Sequence, residues 1–128
     1  MALAPRFHAL TPFAHEPICE DSLALYIDGF ISGENRLGIV AGDPISGFLS
    51  ASVEPHPYLP KVLISQERTW FSEACVGIAL LKRWIAWSVA HGAVPALSTM
   101  TATASPRAGR ALRRLGFREV ETAWVWEG

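Results

Sequence analysis

Cysteine is too scarce in this sequence for a disulfide framework: only Cys19 and Cys75 occur among 128 residues. That scarcity points to a reduced, cytoplasmic setting rather than a secreted, stapled domain. Histidine is also sparse, and the four residues at 8, 15, 56 and 91 form no pair at ligand spacing, which argues against a metal site. No run approaches the ~20 apolar residues that a membrane span needs. The opening residues are interrupted by Pro5, Arg6 and His8 and lack the continuous apolar centre of a signal peptide. Net charge is nearly absent at −1, so the whole molecule exerts no global pull on nucleic acid or an anionic membrane.

What the sequence does have is apolar mass. Half of the residues are hydrophobic, and the five tryptophans stand at 70, 84, 87, 124 and 126. Such a composition excludes disorder and predicts a real core. The length suits one domain over residues 1–128 and is short for two. A chain of this size buries roughly two-thirds of the surface its unfolded form exposes, so it needs neither metal nor disulfide.

Periodicity predicts the elements. Residues 7–13 read as a first strand, and 20–31 as a helix with Leu23, Leu25, Tyr26 and Ile27 on one broad side. Strands follow at 36–40 and 45–53. Residues 54–60 hold three prolines and read as an irregular connection. A strand at 61–71 divides its side chains by alternation: Val62, Ile64, Gln66, Arg68 and Trp70 on one face, Leu63, Ser65, Glu67, Thr69 and Phe71 on the other. The clearest helix runs over 75–91, with Gly77, Leu80, Leu81, Trp84, Ile85 and Ser88 on one arc and Gly92 as its stop. A strand at 94–101 precedes a helix opened by Ser105 as N-cap and Pro106 at its first position. Gly116 ends that helix, and residues 117–126 read as a last strand. This order predicts an α/β fold with a mixed sheet and helices on both faces.

Three pieces of the second half carry a resemblance. Cys-Val-Gly-Ile-Ala-Leu-Leu-Lys from Cys75 enters the strong helix, which continues as Arg-Trp-Ile-Ala-Trp-Ser-Val-Ala-His-Gly-Ala; Ser-Pro-Arg-Ala-Gly-Arg-Ala-Leu-Arg-Arg-Leu-Gly-Phe spans 105–117. These resemble, in order, the pyrophosphate loop (Arg/Gln-x-x-Gly-x-Gly/Ala), the helix after it and the Asn-x-x-Ala-x-x-Leu-Tyr-x-x-x-Gly-Phe segment of the GNAT acetyltransferase superfamily. The compact size and the Gly-Phe-Leu…Val-Glu-Pro-His-Pro run resemble the short GNAT-like proteins of tailed phages. The resemblance implies a GNAT-like, mostly antiparallel mixed sheet, acetyl-CoA as cofactor and an amine as acceptor. It implies that Cys75, Val76, Gly77 and Ile78 hold the pyrophosphate, with Ser105 in the family's Asn position, and that Glu67 is the base.

The same comparison exposes departures. The family's Arg or Gln is replaced by Ser72, or by Ala74 or Cys75 on a shifted register. Cys75 stands for the first glycine, and Leu112 for the Tyr that often serves as general acid. Glu73 brings a carboxylate to the loop, where it complements the helix dipole itself if the helix starts with Ser72 as N-cap. These departures define an alternative: a catalytically degenerate GNAT-fold component of a phage particle or its assembly, partnered by other protein subunits or by its own copies.

The remaining polar residues have plainer explanations beside functional ones. Glu67 as a strand residue pairs with Arg68 or Lys61. Glu54 and His56 in the proline-rich connection are candidates for acceptor contact. Cys75 reads as a small buried replacement for glycine rather than as a nucleophile, since no partner lies nearby. Arg107, Arg110, Arg113, Arg114 and Arg118 form a solvated helix face or meet the 3′-phosphate of CoA; no aromatic residue is interleaved with them, which argues against nucleic acid. Trp124 and Trp126 share one side of a strand and mark an interface if exposed.

Overall fold

The computed structural model describes residues 3–73, 75–97, 106–121, 124, 126 and 128. Among them lie four helices, α1 (Leu3–His8), α2 (Glu20–Ser32), α3 (Gly77–Ala90) and α4 (Pro106–Arg114), and four strands, β1 (Arg36–Ala41), β2 (Gly47–His56), β3 (Leu59–Ser72) and β4 (Ala93–Ala96). The strands form one sheet in the order β1-β2-β3-β4. β1, β2 and β3 are successive antiparallel neighbours, and β4 joins β3 in parallel after the α3 crossover. The result is the expected mixed, mostly antiparallel α/β sheet flanked by helices on both faces. No helix of the described residues is long and apolar enough to cross a membrane.

Register explains the layers. Gly47, Leu49 and Ala51 of β2 point to one face, and Leu49 and Ala51 are buried there with Leu80, Leu81 and Trp84 of α3. Gly47 must be glycine because a Cβ there would sit 2.8 Å from Val76 Cγ2 and 3.0 Å from Phe71 O. A buried polar knot stitches α3 to β3. Trp84 Nε1 donates to Ser65 Oγ at 2.9 Å, and Ser88 Oγ bonds both Ser65 Oγ and the Trp84 carbonyl. On the opposite face, Tyr26 of α2 reaches Ser50 at 3.0 Å and Phe7 of α1 packs edge-on against Phe48. Gly92, at φ +66°, turns the chain out of α3 into β4, the stop that the sequence predicts.

Four local expectations give way to tertiary context. The predicted strand at 7–13 is preceded and replaced by helix α1: Leu3 and Phe7 stand one turn apart, Leu3 buried and Phe7 packed against Phe48 and Phe71 of the sheet. Residues 54–60 are mostly strand, because β2 runs to His56 and β3 begins at Leu59. Pro55 sits beside a register irregularity between Pro55 and His56, the kind of place a sheet tolerates proline. Within α2, Leu25 is exposed, and the inward side is instead Leu23, Ile27 and buried Phe30. Residues 117–121 of the predicted last strand run outside any ladder. Phe117 stacks on Trp84 at 5.9 Å instead, and the four residues after it are exposed, so no described strand pairs with them. Residues 122, 123 and 125 of that stretch, residues 98–101 of the strand predicted at 94–101, and Ser105 lie outside the described residues.

Candidate functional site

The site is organised by an interruption in β3. Ser50 pairs with Thr69 and Ala51 with Glu67, which leaves Arg68 as an extra residue in β3. Such a bulge reverses the phase of alternation. The α3-facing side of β3 is therefore Ser65, Glu67, Trp70 and Ser72, whereas unbroken alternation groups Trp70 with Arg68. The correction follows from the ladder, since Trp70 opposes Leu49 and Glu67 opposes Ala51.

β3 also outlasts its parallel partner. Its pairing with β4 ends at Gln66 and Ala96, whereas its pairing with β2 continues to Ser72. Gln66 Nε2 closes the last rung by donating to Ala96 O at 3.3 Å and to Glu67 O at 3.1 Å. Beyond this point, among the described residues, no strand covers the β4-side edge of β3. Among the described residues β3 thus runs on past its last rung with β4, with Glu67 the first residue past that rung and the N-terminus of α3 near the far end.

Glu67 is buried, 2% exposed, on the α3-facing side. The exposed, Arg68-paired side chain of the plainer expectation is therefore not what the fold contains. Arg68 pairs with Glu54 instead, at 2.6 Å, and also donates to Ser52 Oγ. That leaves Glu54 in an ion pair on the outer face, while His56 stacks edge-on against Tyr58.

Helix α3 starts at Gly77, with Val76 at its N-cap, and no acidic residue stands in its first turn. Valine has no side-chain acceptor with which to cap, so this helix end keeps its partial positive charge. The expectation that Ser72 caps the helix and that Glu73 complements its dipole does not hold. Glu73 lies before the helix, and its carboxylate is engaged by Arg6 of α1 at 2.9 Å. The predicted loop residues divide by environment. Cys75 and Ile78 are exposed, so Cys75 is not a buried stand-in for glycine, whereas Val76 packs toward Gly47 and Gly77 is half-buried. A Cβ on Gly77 would lie 3.0 Å from Ser72 Oγ and 3.5 Å from Trp70 Cζ2, so glycine lets the helix start close against β3.

Two residues at this site escape sequence reading. Arg6 approaches the loop from α1, just ahead of the stretch read as a strand at 7–13, and no local signal marks it. Trp70 belongs to the site only because of the bulge. A groove of about 360 Å³, lined by Pro5, Ile18, Glu20 and Leu23, opens beside α1 and α2 rather than at the α3 terminus. Arg107, Arg110, Arg113, Arg114 and Arg118 are all exposed, as a solvated face requires. Among the described residues no group of acidic, histidine and cysteine side chains could hold a metal ion.

No protein-family model matches this sequence, and no curated protein matches it significantly. Solved structures do match it in three dimensions. A transcriptional regulator from Bacillus halodurans C-125 is 17% identical, with a TM-score of 0.73 over 97% of this chain and 90% of that one. A Trypanosoma brucei acetyltransferase is 18% identical, with a TM-score of 0.66 over 98% and 92%. AAC(6′)-Iy, solved with the bisubstrate analog CoA-S-monomethyl-acetylneamine, is 16% identical, with a TM-score of 0.66 over 94% and 85%. At these identities the likeness concerns the fold alone, which is GNAT-like. Nothing in the fold or in these neighbours supports the virion-component alternative.

Proposed function

We propose that this chain is an acetyl-CoA-dependent N-acetyltransferase, which transfers an acetyl group to a primary amine. One observation carries the proposal: just past the last described rung between β3 and β4, β3 holds a buried carboxylate, and its far end lies near a helix terminus that has no side-chain cap. The residues fit the cofactor. The backbone of Cys75, Val76, Gly77 and Ile78 would hold the pyrophosphate, since a helix terminus attracts anions and the close packing at Gly77 leaves its backbone accessible. The edge of β3 past Gln66 would receive the pantetheine arm. Ser105 keeps its proposed cofactor contact from the family resemblance alone. Arg6 supports the fit by drawing off the Glu73 carboxylate that would otherwise repel the phosphates.

When bound, acetyl-CoA supplies the acetyl group as an activated thioester. Glu67 would take the proton from the incoming amine, and the bulge at Arg68 belongs to a class of distortion common beside active sites. Isothermal titration tests the cofactor half of the proposal. Acetyl-CoA is expected to bind at about 100 µM or tighter, worth roughly 5.5 kcal/mol, and an absence of binding at millimolar ligand retires it. Glu67→Gln is expected to slow acetylation of an amine by about a hundredfold while leaving the cofactor Kd unchanged.

A further inference from the structure

Among the described residues, the indole N–H of Trp70 is a donor without an acceptor. Its Nε1 is shielded from solvent and has no hydrogen-bond partner among the described residues. Buried donors are rarely left in that state, because the unmade bond costs free energy that another residue or a ligand can recover. Trp84 shows the usual solution in the same layer, where its Nε1 meets Ser65 Oγ at 2.9 Å. The two indoles differ in position. Trp84 packs behind the paired part of β3 and β4, whereas Trp70 lies past their last described rung, on the α3-facing side to which the bulge assigns it.

The location selects the ligand. Trp70 Cζ2, two bonds from Nε1, comes within 3.5 Å of the place a Cβ on Gly77 would occupy, so the donor stands beside the first turn of α3. No basic residue occurs from Thr69 to Leu81, where the resembling family has an Arg or Gln. We infer that the Trp70 indole N–H hydrogen-bonds a pyrophosphate oxygen of CoA at the α3 terminus, in place of that missing side chain. The inference rests on the acetyl-CoA reading above. A neutral N–H meeting an anionic oxygen makes a charge-assisted bond, stronger than one between neutral groups. The ring is half-buried, and Cys75 and Ile78 at the start of α3 are exposed.

Two measurements test it. Trp70→Phe keeps an aromatic ring and deletes the donor. It is expected to weaken both CoA and ADP, the diphosphate probe, by about tenfold, while melting close to the unchanged protein because no hydrogen bond among the described residues is lost. In the unchanged protein, the Trp70 indole proton resonance is expected to move downfield when CoA is added. If CoA binds the unchanged protein and Trp70→Phe equally well, or the indole resonance stays in place at saturation, Trp70 has no such role and the acetyl-CoA reading survives. If the unchanged protein binds no CoA at all, both fall together. A variant that does not fold leaves the decision to the indole resonance.

Discussion

The two faces of this sheet are built from different chemistry. Against α3, the sheet presents Leu49 and Ala51 to Leu80, Leu81 and Trp84, and the polar atoms there are locked inside the Ser65–Trp84–Ser88 knot. Against α1 and α2, it presents Phe48 and Phe71 to Phe7, and beside them hydroxyls and charge: Ser50 bonded to Thr69 and to Tyr26 of α2, and Arg68 bonded to Ser52 and Glu54. The α3 face removes the most apolar surface from water and anchors the helix whose terminus the proposed site uses. The other face trades interactions with water and gains little per bond. Rigidity at the site is thus a property of the α3 face.

Breaking that contrast at its strongest point means Trp84→Ala. The residue is fully buried, and its loss is expected to cost about 3–5 kcal/mol in urea unfolding, enough to threaten the fold. A matched pair of serine deletions sharpens the comparison. Ser65→Ala strands the Trp84 indole N–H in the core and is expected to cost about 1–3 kcal/mol. Ser50→Ala, on the other face, removes part-buried bonds to Thr69 and to half-exposed Tyr26 and is expected to cost about 1 kcal/mol or less. Equal losses from the two serines would erase the distinction between the faces. Glu54→Ala breaks an ion pair with both side chains well exposed, and its effect is expected to stay below about 1 kcal/mol and to fade in high salt.

The smallest expected effect lies where α2 begins. The Cys19 thiol is held below its ordinary pKa by the Ser22 hydroxyl, with backbone N–H groups of Ser22 and Asp21 adding to it. The thiolate is the reactive form, so in a Cys75→Ser background the alkylation rate of Cys19 is expected to rise at lower pH than for an ordinary thiol. Ser22→Ala is expected to move that midpoint upward. An unmoved midpoint would remove the serine as the cause.

Much of the fold is legible in local pattern. The arc of α3, with Leu80, Leu81, Trp84 and Ser88 inward, follows from a 3.6-residue period, and Gly92 and Gly116 end their helices as read. Strands β1 and β2 follow from apolar runs separated by Ala-Gly-Asp-Pro. Helix α1 was hidden because Phe7, Ala9, Thr11 and Phe13 imitate alternation, while its true partner Leu3 lies upstream. The candidate site is only half legible. Gly77 and the start of α3 are visible as a motif, but the face of Trp70, the burial of Glu67 and the arrival of Arg6 are not. None of these three leaves a local trace, because each depends on a residue far away in sequence.

The sequence by itself determined the class of fold and the position of the helix that opens the proposed site, because periodicity and glycine stops act over a few neighbouring residues. Only the tertiary structure decided which side chains face that helix. A single extra residue at Arg68 shifts the phase of β3, and the shift is set by pairing with β2, where hydrogen bonds between distant segments fix what alternation along one strand cannot.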